Sequence, residues 1–399
     1  MPAPLRVCMV TGAYWPQVSG GGKQCKTIVD ALGKDVECLV LTTCTVPGLP
    51  PVEKTGGATV YRVFVDPSKR GWRLRSLRQF MGQWWRLRRR VTILHLHGIS
   101  LKTLCLAIFA RWVGIPIVQK MSSAGDDDPL ALRRKPGGWW KIRVYRLADR
   151  FVSVAPALSR AYRTAGLPAD RLVEIPNAID GQQFRPSAYN GERQAVRRNL
   201  GLLEERTLIL AVGFISYVKG TDLLLEAGEE LRRRWGDSVF LLLIGSSDTR
   251  HSEVAGDLVR RLQALQSDPA TARTLHHVER TLTIEEYYRA ADLFVLPSRR
   301  EGMPNALLEA MASGLPCIAS RLPGVTDSLI ASGQTGLLVE PEDASALAKA
   351  IATVLEMPDR GRSMGRRARA SVLERFSVDQ VAAQYRNLYH QLAEERRVK

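Results

Sequence analysis

Short apolar runs alternate along the chain with longer stretches whose apolar positions recur every three or four residues. Residues 5–10, 37–42, 59–64, 92–96, 115–118, 150–154 and 172–175 form one series of strand-length runs; 208–212, 239–244, 293–296, 316–319 and 336–339 form a second. Runs this short and this apolar predict strands buried on both faces. Helical patterns between them predict parallel sheets covered by helices. Two series predict two doubly wound α/β domains, over 1–190 and 191–377. A polar stretch at 185–205, after Phe184-Arg185-Pro186, reads as the linker. A last helix over 378–394 follows the second domain, and the segment 378–399 is expected to pack back on the first.

Composition agrees with this division. The chain has 399 residues, too many for one ordinary core and enough for two of about 200 each. Its 45% hydrophobic and 24% charged residues are globular proportions. No apolar run reaches the ~18–20 residues of a membrane span; the best, 103–118, is interrupted by Arg111. Residues 5–10 are too short for the apolar region of a signal peptide. The six cysteines form no C-x-x-C pair and sit largely in apolar runs, as reduced core residues do. A cytoplasmic protein is expected.

Charge separates the two halves. The net charge is +17, yet residues 1–190 hold 29 Lys/Arg against 12 Asp/Glu, while residues 191–399 hold 28 of each. Residues 67–125 contain twelve basic residues and no acid. Within them, 72–91 reads as an amphipathic helix. Leu74, Leu77, Phe80, Met81, Trp84, Trp85, Leu87 and Val91 fall on one face and Arg75, Arg78, Arg86, Arg89 and Arg90 on the other. A second cluster joins Arg133-Arg134-Lys135 to Trp139-Trp140-Lys141. Trp and Leu opposite cations suit the surface of an anionic bilayer, and a core-packed helix with a solvated basic face gives the same pattern. Nucleic acid is the other polyanion, but no recognition helix, zinc finger or RNA-binding aromatic motif is present. A peripheral site on the inner face of the cytoplasmic membrane is expected.

Ligands of parallel sheets bind at the carboxyl ends of the strands, so chemistry is sought in the loops there. After the first strand, Gly20-Gly21-Gly22 opens a helix whose amides can meet an anion; the loop is neither a Walker A nor a G-x-G-x-x-G motif. After the strand 208–212 come Gly213-Phe214-Ile215-Ser216-Tyr217-Val218-Lys219-Gly220, with Lys219 in reach of a phosphate. The third loop is the most informative: Pro297-Ser298-Arg299-Arg300-Glu301-Gly302-Met303-Pro304-Asn305-Ala306-Leu307-Leu308-Glu309. Pro304 suits a first helical turn and Gly314 a C-terminal cap. Amides of Met303, Asn305 and Ala306 would face an anion. Two carboxylates beside such a site make sense when the ligand also carries hydroxyls, as a ribose and a sugar do.

This third segment resembles the signature of glycosyltransferase family 4, the retaining GT-B enzymes of group 1 type, whose hallmark is two glutamates separated by seven residues, here Glu301 and Glu309. The resemblance extends to the Gly20–Gly22 loop, to Ile93-Leu94-His95-Leu96-His97-Gly98, to Ile175-Pro176-Asn177-Ala178-Ile179-Asp180, and to much of 288–339. It implies two Rossmann-like domains facing a cleft and a nucleotide-diphosphate sugar held mainly by the second. Glu301, His97 and Lys219 would be catalytic. Donor contacts would come from Gly20, Gly21, Gly22, Gly213, Lys219, Arg280, Arg299, Gly302, Met303, Pro304, Asn305 and Glu309, with Glu309 on the ribose. No bound metal or cofactor is implied. The acceptor would dock on the first domain near Lys120, Ser122 and Asp127, and the basic Trp-rich half makes a lipid-linked saccharide or glycolipid the expected acceptor, in polysaccharide or glycoconjugate synthesis.

The chain departs from the family pattern at three places. Phe214 stands where an arginine is usual, so Arg299 or Arg300 substitutes or Lys219 acts alone. Gln119-Lys120-Met121-Ser122 replaces a strand ending in histidine, and Lys120 could serve a phosphate. Arg280 stands for a glycine near the base. Asp126-Asp127-Asp128 invites a metal reading, but it follows a first-domain strand and reads as a solvated loop or a contact to an acceptor hydroxyl. A soluble enzyme for a small acceptor, a sugar-nucleotide epimerase and a non-enzymatic polyanion-binding protein are the competing readings.

Overall fold

The computed structural model describes residues 5–17, 19–125, 127–188, 190–202 and 205–398. The chain divides into two compact units, residues 1–178 with 378–399, and residues 179–377.

The first unit is built on β1 (Leu5–Thr11), β2 (Val36–Cys44), β3 (Val52–Thr55), β4 (Ala58–Phe64), β5 (Ile93–His97), β6 (Ile117–Met121), β7 (Arg150–Ser153) and β8 (Leu172–Glu174). Their order is β3-β4-β2-β1-β5-β6-β7-β8, parallel throughout except for the antiparallel edge pair β3–β4. The chain steps from β1 outward to one side and returns to β5 on the other, so the carboxyl ends of β1 and β5 border a topological switch. One face of the sheet is covered by the helix Gly20–Leu32 and by the last helix, Val378–Val398, whose Val381, Tyr385, Leu388, Tyr389 and Leu392 are buried against Val7, Met9, Ile93 and Val118. Their spacing of four, three, one and three residues is a core-facing helical stripe.

The second unit carries β9 (Thr207–Val212), β10 (Val239–Ile244), β11 (Leu275–Val278), β12 (Leu293–Leu296), β13 (Cys317–Ser320) and β14 (Leu337–Val339), in the order β11-β10-β9-β12-β13-β14 and parallel throughout. Here the switch falls between β9 and β12. All six cysteines are free thiols.

Three expectations are corrected. The first unit ends at Ala178 rather than near residue 190, and the stretch read as a linker is largely part of the second unit. Phe184 is buried there, and Arg369 donates to the carbonyls of Gly181 (3.1 Å) and Phe184 (2.9 Å). The helix Asn190–Asn199 follows, and its Arg193 and Arg197 both grip Asp292, each at 2.6 Å, at the foot of β12. A polar sequence concealed this because its anchors are charges paired inside the fold.

The second correction concerns the helix Trp72–Leu87. It buries Ser76, Phe80, Trp84 and Leu87 against β2 and β4. Trp84, expected at a membrane, is 1% exposed. Trp85 and Leu74 do remain exposed, as do Arg75, Arg78, Arg86, Arg89 and Arg90. The centre of the apolar face is therefore core, its Leu74 and Trp85 are open, and the cationic face is surface.

Third, Pro304 caps the helix Asn305–Ala312 instead of lying in its first turn. Gly314 does sit past the helix end, at φ +72, where a left-handed residue lets the chain turn away.

Candidate functional site

In the second unit, the loops after β9 and β12 come together at the switch. Gly213 to Gly220 form a wound turn: Ser216 Oγ accepts from the Lys219 amide (3.2 Å), Thr221 Oγ1 from the Ser216 amide (3.1 Å), and the Gly220 amide donates to the Tyr217 carbonyl (3.0 Å). The Arg299 amide donates to the Val218 carbonyl at 2.9 Å and stitches this turn to the segment after β12. Gly213 packs on the Lys219 stem, where an added Cβ would lie 3.3 Å from Cγ. Lys219 thereby reaches Glu301, with Nζ 2.8 Å from Oε1. Ser298 Oγ donates to the same oxygen at 2.8 Å. The Glu301 side chain is 9% exposed and that of Lys219 is 25%. A nearly desolvated ion pair at a strand switch is a strong local field that a passing ligand can reach from the lysine side.

Glu309, four residues into the next helix, is buried. It faces Tyr288, whose phenol is pushed well above its usual range, first by burial and then by the Glu309 carboxylate. Gly302, Met303 and Pro304 are buried between the two glutamates.

Arg299 lies in this segment but is otherwise engaged. It meets Asp222 in a two-point pair at 2.8 and 2.7 Å and also donates to the Tyr217 carbonyl at 2.6 Å. The substitute cation expected for the missing arginine is therefore already committed within the loop pair. Phe214, in that arginine's place, stacks on His251 at 4.3 Å between ring centres. Arg280 is exposed beyond β11, next to Glu279, which accepts from the amide of Ser247.

In the first unit, the predicted residues gather at the ends of β5 and β6. His97 and Lys120 are register partners on these neighbouring strands, and residues in register on parallel strands share a face. Lys120 is 2% exposed and donates to Asn177 Oδ1 at 3.0 Å. Burial pushes its ammonium down to about 8, against smaller upward pulls from Cys25 and Asp127. His95 is a core residue, with Nδ1 2.7 Å from the Tyr389 hydroxyl and its ring 4.4 Å from that of His97. Burial, His95 and Lys120 hold His97 well below the usual imidazole range, and its Nε2 has no hydrogen-bond partner among the described residues. His97 is thus a neutral ring with one nitrogen uncommitted.

Burial lowers His95 to about 3, against about 6.5 for an unfolded imidazole. Between these values the unfolded chain binds a proton that the folded unit refuses. The stability from this group is complete above about pH 6.5 and is lost as pH falls toward 3. Melting temperatures taken from pH 7 to pH 5 should fall, and the slope should be shallower for His95→Gln. An unchanged slope would count against the burial account.

Asp127 corrects the reading of a solvated or acceptor-holding carboxylate. It is buried, and its oxygens accept from Ser122 (amide 3.0 Å, hydroxyl 2.8 Å) and the Ser123 amide (2.7 Å). Asp128 caps the helix Pro129–Arg134; Asp126 lies outside the described residues. Ser122 and Asp127 therefore build the loop after β6. The Gly20–Gly22 run is the first turn of a helix capped by Ser19, whose hydroxyl takes the Gly22 amide at 3.0 Å. An added Cβ at Gly22 would overlap the Ala13 carbonyl, whereas Gly21 faces open space. Gly22 is needed for close packing, with its amide already used.

Sequence reasoning missed Ser298, Asp222, Asn177 and Tyr389. Ser298 could have been suspected three residues before Glu301. The others are joined to their partners only by the fold.

Comparison with known proteins adds the following. The family model for glycosyl transferases group 1 matches residues 192–371, and that for a glycosyl transferase 4-like domain matches residues 19–178. The D-inositol 3-phosphate glycosyltransferase 2 of Catenulispora acidiphila is 29% identical over 301 residues, 72% of this chain and 67% of that protein. Among solved structures, Anabaena Alr3699/HepE in complex with UDP-glucose superposes with a TM-score of 0.78 at 18% identity, over 97% of this chain and 100% of that one. Sucrose-phosphate synthase from Thermosynechococcus elongatus gives 0.78 at 24% identity, over 97% and 99%.

Proposed function

The chain belongs to the group 1 glycosyltransferases of GT-B fold, with a family 4-like domain ahead of the group 1 domain, and from that premise we propose that it is a retaining enzyme moving a sugar from a nucleotide-diphosphate donor to a membrane-associated acceptor. Glycosyl transfer from nucleotide sugars is the chemistry of such enzymes, and a purely structural polyanion-binding role falls away. The observation that carries the finer reading is the Lys219–Glu301 pair at the β9/β12 switch.

As the donor C1–O bond breaks, positive charge grows on the sugar ring and negative charge on the departing diphosphate. Lys219 faces the second and Glu301 the first, so the pair already holds the polarity that the transition state develops. Glu309 lies eight positions further along, for the ribose hydroxyls. The departing phosphate oxygen takes the acceptor's proton as the acceptor oxygen bonds to C1, so no side-chain base is required. The reading requires no metal.

The acceptor is assigned from charge. The excess of cations lies entirely in the first half, and the arginine face of the Trp72–Leu87 helix is exposed. A lipid-linked saccharide or glycolipid at an anionic surface suits that distribution. No helix among the described residues is long and apolar enough to cross a membrane. A small phosphorylated acceptor is the second reading, favoured by a relative named for D-inositol 3-phosphate.

The first experiment is a thermal-shift screen of UDP-, GDP-, ADP- and TDP-sugars. A donor at a hundredfold its Kd should stabilise the chain by about 2.7 kcal/mol. The donor so found is then supplied in labelled form with membrane extract or with inositol phosphate. Label in the lipid phase supports the leading reading, and label on the soluble phosphate the second. A chain stabilised by no nucleotide sugar and transferring none would overturn both.

A further inference from the structure

The helix Leu101–Trp112 is apolar nearly all round, as a helix buried on every side would be, yet one of its faces is open. Leu104, Leu106, Ala107 and Ala110 are buried. On the opposite side Leu101 (58%), Ile108 (47%), Phe109 (40%) and Trp112 (73%) are exposed. Positions 101, 108 and 112 lie within a narrow sector at 100° per residue, with 109 beside them. Isolated exposed apolar residues need no explanation, but an aligned stripe of this kind marks an interaction surface. The neighbouring helix Gly138–Tyr145 adds Trp139, 78% exposed.

The charges around the stripe identify its partner. The stripe helix carries Lys102 and Arg111 and no acid, and no acid occurs from residue 67 to 125; Arg111 lies 3.5 Å from Asp149, at the foot of β7. The helix Trp72–Leu87, with its exposed arginines, also packs against it. A second copy of a chain with net charge +17 would be repelled. An anionic lipid surface offers both halves of the complement: acyl chain for the stripe and phosphate for its rim.

We propose that the Leu101–Trp112 helix, assisted by Trp139, is the apolar contact of the first unit with an anionic bilayer. The proposal rests on the reading of a membrane-borne acceptor and moves the main apolar contact away from the Trp72–Leu87 helix, whose Phe80, Trp84 and Leu87 are spent on the core. That helix supplies cations, and this one supplies the surface that enters the lipid interface.

Co-sedimentation of the full chain at low salt, with vesicles of phosphatidylcholine alone or mixed with phosphatidylglycerol, tests it. Wild type should bind only the mixed vesicles. Combined Ile108→Ser, Trp112→Ser and Trp139→Ser should weaken partitioning at least about tenfold, with an unchanged circular dichroism spectrum and undiminished transfer to a water-soluble acceptor. A triple variant that binds like wild type, while a chain with Arg75, Arg78, Arg86, Arg89 and Arg90 changed to Glu does not, would overturn this assignment and leave the membrane reading standing. Wild type that ignores both vesicles would remove the two together. Light scattering that shows a dimer lost in the triple variant, without vesicle binding, would give the stripe to a second copy and overturn the proposal.

Discussion

Glu301→Gln should lower kcat by about 10²–10³-fold, the scale on which a single preorganised electrostatic contact acts in a transition state. The donor KM should change far less, because a group that acts mainly on developing charge contributes little to ground-state binding. The substitution keeps the side chain's size and an oxygen for Ser298, so the loop geometry should survive. What it removes is the negative charge 2.8 Å from Lys219. Steady-state rates with the donor identified by thermal shift provide the measurement, and Glu309→Gln is the contrast: with its proposed role on the ribose, it should act chiefly on donor KM. Near-normal turnover in the Glu301 variant would sink the assignment of that pair to the reacting sugar and diphosphate.

A large stability effect is expected at Gly220. Its φ of +69 costs an L-residue about 1–2 kcal/mol, and an added Cβ would overlap the Pro297 carbonyl oxygen. Both objects in collision are backbone, one at the end of the β9 turn and one at the end of β12, so neither can swing aside. Gly220→Ala should therefore cost about 3 kcal/mol or more, a fall of roughly 6–12 °C in the melting of a unit of this size. It should also reduce transfer, because separating the two loops pulls Lys219 from Glu301. Gly71→Ala isolates the conformational part: Gly71 is likewise a left-handed helix N-cap, at φ +74 and ψ 12, but an added Cβ meets nothing within 4 Å. That variant should lose only about 1–2 kcal/mol. Equal losses in the two variants would mean that the contact with Pro297 is not what holds the loops together.

Much of this arrangement was legible along the chain, for identifiable reasons. Strands buried on both faces are continuous apolar runs, so most of the core strands announced themselves. Two of the four edge strands, β3 and β11, did not. β11 is Leu275-His276-His277-Val278, with His277 bonded to the Gly245 carbonyl at 2.7 Å, and β3 is a half-exposed polar segment. At an edge, the pairing partner rather than the side-chain pattern makes the strand. Lys219, Glu301 and Glu309 were legible because their loops follow apolar runs directly. That Lys219 and Glu301 touch was not, since 82 residues separate them and sheet order alone brings β9 beside β12.

The sequence by itself determined the two sets of strands, the partition of charge between the halves, and which residue types stand at the strand ends. These are local or additive properties, readable without knowing what packs on what. Tertiary structure decided which apolar faces are covered: Trp84 went into the core, while Ile108 and Trp112 were left outside. It also decided which charges are spent, giving Arg299 to Asp222 and Asp127 to its own loop. Periodicity shows that a helix has an apolar face, but burial and pairing depend on neighbours distant along the chain, and only the order of strands in a sheet makes those neighbours.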